Sequence, residues 1–154
     1  MNKHLALYVV NKVKESRNDK QYIDFFDKID NYLNGTKYFD YYDFMKFLET
    51  FVSEKNIRSN RPITFLKNEL KDINKKFKNR NIDLSKCKNG DILLSSLGEE
   101  LVYIGPTESW EYLDHKVKYK NKLLGNGTRT NDGYVMKHKR DPEIDHDIID
   151  IIKK

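Results

Sequence analysis

Hydrophobic positions repeat at helical spacing through the first half of the chain and alternate through much of the second. Four segments carry apolar residues three and four positions apart, which predicts four helices within residues 1–80. The fourth has the clearest apolar seam, formed by Ile63, Leu66, Leu70, Ile73 and Phe77. Pro62 suits its first turn, where a missing N–H costs nothing, and Asp40 is expected to cap the third helix. The first part of the chain is therefore predicted to be helical.

Period-two alternation replaces the helical spacing after residue 88. Residues 92–94 and 101–104 are short apolar runs separated by a Gly-containing turn, and they predict two strands. In the segment that follows, apolar or aromatic side chains alternate strictly with lysines. One face would carry His115, Val117 and Tyr119, and the other Lys116, Lys118 and Lys120. This segment is predicted to be a strand with one lysine face.

Turn residues divide the remainder of the chain. Residues 131–133, Asn-Asp-Gly, tolerate positive φ and predict a tight turn. Residues 134–136 are then the expected last strand, while the tail, residues 141–154, fits either a strand or a short helix. The predicted class is α+β. A helical part over residues 1–80 precedes a small antiparallel β domain over residues 88–154, closed into an SH3-like barrel.

Composition narrows the class of protein. Hydrophobic residues make up 38% of the chain and aromatic residues 12%, enough for a packed core. No apolar run reaches the ~18 residues of a membrane-spanning helix, and we see no signal peptide. The single cysteine, Cys87, excludes an intramolecular disulfide and a multi-cysteine zinc site, and no local motif marks it as a nucleophile. We expect a cytoplasmic protein without a membrane partner.

Positive charge is concentrated in two segments. Residues 55–88 contain eleven Lys and Arg against three Asp and Glu, and residues 112–140 contain eight against two. The tail is acidic, with two basic and five acidic residues over 141–154. Basic rows can neutralise phosphates without reading sequence. They can equally be solvated faces of a lysine-rich protein.

The predicted binding surface draws on both basic segments. Its residues are Lys67, Lys71, Lys75, Lys78, Lys116, Lys118, Lys120, Arg129, Lys137, Lys139 and Arg140. The Gly125–Arg129 stretch could present backbone N–H groups and a guanidinium to a phosphate, although an ordinary hairpin turn is the simpler interpretation. The expected partner is nucleic acid or a host protein complex that handles it. No cofactor is expected, and a non-enzymatic role is favoured.

Asp145, His146 and Asp147 are the candidate metal-binding or catalytic cluster. Carboxylates beside an imidazole can bind a divalent cation or exchange protons. Adjacent residues of a strand point to opposite faces, however, so a metal-dependent enzyme is only the third hypothesis. No phosphate-loop, dinucleotide-binding or serine-nucleophile motif occurs. His115, on the apolar face of its strand, is expected to be a hydrogen-bonded core histidine.

The last third of the chain resembles small uncharacterised proteins of bacteriophage genomes. Those proteins pair a YxDGxxGTRTxDG-like hairpin with a closing DHDI-like strand. The residues that carry the resemblance are Gly127, Thr128, Arg129, Thr130, Asp132, Gly133 and the run 145–148. The resemblance names no activity, but small phage proteins often bind and inhibit a host machine. It therefore implies an anti-defence or host-takeover inhibitor in the host cytoplasm as the alternative to direct nucleic-acid binding.

Overall fold

The expected α+β class is confirmed by a computed structural model of the chain. The structure describes residues 1–16, 22–51, 61–107, 115–135 and 146–152. Within those ranges, four helices precede a five-stranded antiparallel sheet. The chain divides into two compact units, Met1–Lys75 and Lys76–Lys154. None of the described helices has the length and apolar character needed to cross a membrane.

The first unit is helical. Its elements are α1 (Lys3–Ser16), α2 (Ile23–Gly35), α3 (Tyr41–Glu49) and most of α4 (Arg61–Lys78). The predicted cap of α3 is confirmed, because the Asp40 carboxylate accepts a hydrogen bond from the Asp43 N–H at 2.9 Å. All five positions of the predicted α4 seam are buried, none more than 8% exposed. Helical spacing in the sequence therefore located the buried face of α4 correctly.

The second unit is built on an antiparallel sheet. Its strands are β1 (Ile92–Ser95), β2 (Glu100–Pro106), β3 (His115–Tyr119), β4 (Asn126–Arg129) and β5 (Ile148–Ile152). The spatial order is β4-β3-β2-β1-β5, and each neighbouring pair is antiparallel. The buried core consists of Leu84, Leu93, Leu101, Tyr103, Val117 and Ile148. The tail contributes β5, so it forms a strand and not a helix over those residues.

Closure of this sheet into a barrel, expected from the sequence, is wrong. A barrel needs continuous strand pairing, but β4 and β5 are the two edges of the described sheet and do not pair. Other hydrogen bonds bridge them. The Arg129 guanidinium donates to the His146 carbonyl from Nε at 3.1 Å and from Nη2 at 3.0 Å. The Ile148 N–H donates to the Gly133 carbonyl at 2.8 Å. The Arg129 side chain and the turn at Gly133 thus bond to the region of β5, in place of the strand-to-strand hydrogen bonds that would close a barrel.

The strand expected over residues 134–136 is also wrong for Tyr134 and Val135, which lie in irregular structure; its third position is outside the described residues. Thr130 forms hydrogen bonds with both backbone groups of Tyr134. Its N–H donates to the Tyr134 carbonyl at 2.9 Å, and its hydroxyl accepts from the Tyr134 N–H at 3.0 Å. The Val135 N–H donates to the Asp147 carboxylate at 2.8 Å. These bonds leave the segment without the free N–H groups that a strand ladder needs.

Candidate functional site

Two lysines of β3 project from the face of the sheet that we call the outer face. The strand alternates buried and exposed positions, so the period-two pattern predicted from the sequence is confirmed. Lys116 lies opposite Thr128 of β4. Lys118 lies opposite Asn126. The outer face of the β3–β4 hairpin therefore pairs each cation with a neutral side chain capable of hydrogen bonding.

These side chains line a groove of about 410 Å³, within the ~300–1,000 Å³ typical of ligand sites. Its lining comprises residues 116–118 of β3, residues 126–128 of β4 and Ile104 of β2. The pairing of β2 with β3 shifts register between Tyr103 and Gly105. Ile104 is the unpaired residue of this bulge, and its side chain is exposed. The Asn89 amide fixes the bulge by donating to the Ile104 carbonyl at 2.8 Å.

The ammonium groups of the groove lysines are not neutralised within the part of the chain that the structure describes. Among the described residues, neither Lys116 nor Lys118 has a hydrogen-bond or ion-pair partner for its ammonium group. Lys120, the third lysine of the predicted row, pairs instead with Glu100 at 2.8 Å. Unpaired cations on a concave surface raise the local potential for anions. The groove is thus suited to a negatively charged ligand held by Lys116 and Lys118.

Arg129, expected at the binding surface, is 2% exposed. It pairs with the buried His115 across the hairpin and so faces the inner side of the sheet. Besides its bonds to the His146 carbonyl, the guanidinium donates to the Tyr119 hydroxyl and to the Thr128 carbonyl, both at 2.8 Å. Each guanidinium nitrogen therefore donates at least one internal hydrogen bond. Arg129 stabilises the fold, and we leave it out of the proposed binding surface.

A chain of polar side chains runs along the inner face. Tyr103 Oη lies 2.6 Å from His115 Nδ1, and His115 Nε2 lies 3.0 Å from Asn131 Oδ1. Asn131 Nδ2 donates to the Asp83 carboxylate at 3.0 Å. Hydrogen bonds from Ser85 and Asn131 lower the pKa of Asp83 and keep it an acceptor. This assigns the Nε2–H tautomer to His115, which accepts from Tyr103. The prediction of a hydrogen-bonded core histidine is confirmed.

The acidic and histidine residues of the tail do not converge where the structure describes them. Asp145 lies outside the described residues. His146 Nδ1 is 2.5 Å from a Glu99 carboxylate oxygen. Asp147 accepts from Arg80 Nη1 at 3.1 Å, and its other oxygen accepts a backbone N–H. Among the described residues, no group of three or more His, Cys, Asp or Glu side chains is placed to hold a metal ion.

The predicted lysine row of α4 is divided between the two units. Lys67, Lys71 and Lys75 belong to the first unit, and Lys78 belongs to the second. Lys71, Lys75 and Lys78 are exposed. Lys67 forms an ion pair with Glu49. Burial, and then the charge of Lys71, lower the pKa of Lys67, and its ammonium group is already engaged by Glu49. Outside the described residues lie Lys137, Lys139 and Arg140.

The binding surface predicted from the sequence did not include three side chains that line the groove: Ile104, Asn126 and Thr128. The last two were named only within the Gly125–Arg129 stretch, for its backbone N–H groups. The two residues of β4 follow only from the β3–β4 register, which the alternation of β3 alone does not specify. Gly105, next to Ile104, was a signal for the bulge, since glycine inside a strand often marks one. The lysines were therefore predictable from the alternation of one strand, whereas the residues opposite and beside them follow only from the pairing of strands in the sheet.

Comparison of the chain with protein-family models, curated proteins and solved structures gives no match. No family assignment accompanies the groove, and the resemblance to phage proteins stays an expectation. The functional proposal consequently rests on the geometry and charge of the groove.

Proposed function

We propose that this protein is a non-enzymatic, phage-type binding protein that engages nucleic acid through the groove on the outer face of its sheet. One observation carries the proposal. Lys116 and Lys118 line the same concave surface, and no described residue neutralises them. Lysine binds phosphate as a point charge, and contacts of this kind supply most sequence-independent affinity for nucleic acid.

The neutral side chains of the groove suit the same ligand. Amide and hydroxyl groups commonly contact phosphate and sugar oxygens, and such contacts position the backbone without reading sequence. Asn126 and Thr128 lie directly opposite the lysines, and Cβ atoms of opposed residues are ~4.5–5.5 Å apart. An oxygen held by either lysine is therefore close to a second donor. This arrangement favours backbone binding over recognition of particular bases.

A metal-dependent enzyme is the weaker hypothesis because its candidate ligands already bind other protein groups. The Asp147 carboxylate, 2% exposed, is held by Arg80. His146 is bonded to Glu99. Recruiting Asp147 to a metal would leave a buried arginine without its counter-charge, which costs about 3–5 kcal/mol. Binding of nucleic acid in the groove requires no such rearrangement.

Charge reversal in the groove tests the proposal. We expect the double variant Lys116→Glu, Lys118→Glu to weaken binding of a labelled oligonucleotide by about 10-fold or more at low salt, measured by fluorescence anisotropy. The exposed pair Lys71 and Lys75 of α4 gives a matched control, since its double reversal changes the net charge equally. Unchanged binding in the groove variant, or equal losses in the α4 variant, would overturn the proposal.

A protein partner is the second candidate, favoured by aromatic side chains in the first unit. Tyr38 is 83% exposed and Tyr42 is 63% exposed, and tyrosine is enriched in protein interfaces. Such a surface would serve a host-takeover or anti-defence inhibitor. Capture of one host protein that survives high salt and nuclease, and that is lost in Tyr38→Ser with Tyr42→Ser, would support this candidate. Its retention in the groove variant would separate the two functions.

A further inference from the structure

We infer that the nucleic acid held by the groove is single-stranded, an inference that rests on the proposed function. The deciding feature is apolar surface beside the cations. In the described residues of the second unit, the exposed large hydrophobic side chains are Ile104, Leu123 and Leu124, which are 38%, 94% and 46% exposed. Ile104 lines the groove. The two leucines belong to the turn between β3 and β4, the two strands that supply most of the groove lining.

The hairpin turn displays its leucines on an ordered backbone. The Leu123 N–H donates to the Asn121 side chain at 3.1 Å, and the Leu124 N–H donates to the Asn121 carbonyl at 3.0 Å. The Tyr119 N–H donates to the Gly125 carbonyl at 3.0 Å. These bonds fix the turn with its leucines in solvent. Folding therefore gains no burial from Leu123, which is expected of a residue that contacts a partner.

Apolar positions flank the two lysines along the hairpin. Lys118 and its partner Asn126 form the register pair nearest the turn, and Lys116 lies farther from it, opposite Gly105 beside Ile104. The order is therefore leucines, two lysines, isoleucine. The lysines are two residues apart on one strand, about 6.6–6.8 Å along its axis. That interval suits successive phosphates of an extended chain.

Only a single strand offers matching surfaces for both kinds of side chain. A duplex presents phosphates and sugars outward and keeps the faces of its bases stacked inside. A single strand presents phosphates together with unstacked bases. Proteins bind it by combining a basic groove with aromatic side chains that stack on the bases, or with apolar side chains that pack against an unstacked base. Ile104 and the leucines would pack against base faces while the lysines hold the backbone.

An anionic membrane surface is the competing partner, because leucines beside lysines also bind lipid headgroups. The groove disfavours it. Lys116 and Lys118 line a concavity of about 410 Å³, whereas a flat headgroup layer would contact the protruding turn and leave the concavity unused. Lipid vesicles are therefore an arm of the test.

The test compares a labelled oligothymidylate with a duplex of equal length by fluorescence anisotropy. We expect the full-length protein to bind the single strand about 10-fold more tightly, and Leu123→Ser with Leu124→Ser to lower that affinity about fivefold or more. Duplex binding should be unchanged in this variant. Ile23→Ser, at an exposed apolar residue of the first unit, is the matched control. Circular dichroism of each variant checks that it is folded.

The outcomes distinguish a failure of the single-strand inference from a failure of the proposed function. Equal affinity for single strand and duplex, with no effect of the leucine variant, would overturn the single-strand inference; the proposed function would survive if the Lys116 and Lys118 reversals still weakened both complexes. Absence of binding to either nucleic acid would overturn both. Binding to phosphatidylserine vesicles that is lost in the leucine variant, without binding to nucleic acid, would overturn both in favour of a membrane.

Discussion

At the scale of single residues, Gly133 is a position where only glycine fits. Its φ is +86°, in the left-handed region, and an added Cβ would lie 3.0 Å from Ile148 Cβ and 3.1 Å from Ile82 Cγ2. The left-handed backbone costs other residues about 1–2 kcal/mol, and overpacking adds about 1–3 kcal/mol. We therefore expect Gly133→Ala to lower the free energy of unfolding by both amounts, measured by urea denaturation.

A second glycine isolates the crowding from the backbone strain. Gly90 has a φ of +95° but open space around its missing Cβ. Gly90→Ala should therefore lose only the backbone part, about 1–2 kcal/mol. Equal losses at the two positions would contradict the close packing of the 133 turn against β5.

At the scale of elements, a buried ion pair holds the start of β5 within the second unit. The side chains of Arg80 and Asp147 are 4% and 2% exposed, with Nη1 and Oδ2 3.1 Å apart. In the described residues, Arg80 Nη2 has no hydrogen-bond partner. Asp147→Ala would leave a buried guanidinium without counter-charge, so we expect a loss of about 3–5 kcal/mol in the free energy of unfolding.

The control for this variant is a partly exposed ion pair made by a residue of β5 itself. Asp150 and Lys76 are 3.0 Å apart, with side chains 21% and 39% exposed. Because solvent screens such pairs, Asp150→Ala should cost no more than about 1 kcal/mol. Denaturation curves that place the two variants within error of each other would show that the Arg80 pair is not buried as described.

Elements with a local cause were predictable, and those fixed by distant partners were not. The apolar seam of α4 and the alternation of β3 follow from the spacing of residues within each element. The open sheet edge depends on Arg129 reaching the carbonyl of His146, seventeen positions away in sequence. The irregular path at Tyr134 depends on Thr130, which bonds the Tyr134 backbone, and on Asp147, which accepts from the Val135 N–H. The lysines of the candidate site belong to the first class, and the rest of the groove to the second.

At the scale of the whole molecule, net charge and local site make different contributions to binding. The formal charge of +5 draws any polyanion towards the protein, whichever surface finally contacts it. Both units carry exposed lysines, so affinity at one salt concentration does not identify the surface. Comparison of the salt dependence of the wild type and the groove variant does identify it, because the slope counts the phosphates that the bound protein neutralises.

The groove alone predicts a shallow salt dependence. For a single strand, log K falls with log salt by about 0.7 per neutralised phosphate, so Lys116 and Lys118 together predict a slope of about −1.4. If Lys71 and Lys75 of α4 bound the same strand, four contacts would give about −2.8. The slope is measured by anisotropy titrations over a range of salt concentrations. Removal of both groove charges should bring it close to zero, whereas a wild-type slope near the steeper value would mean that the groove is only part of the binding surface.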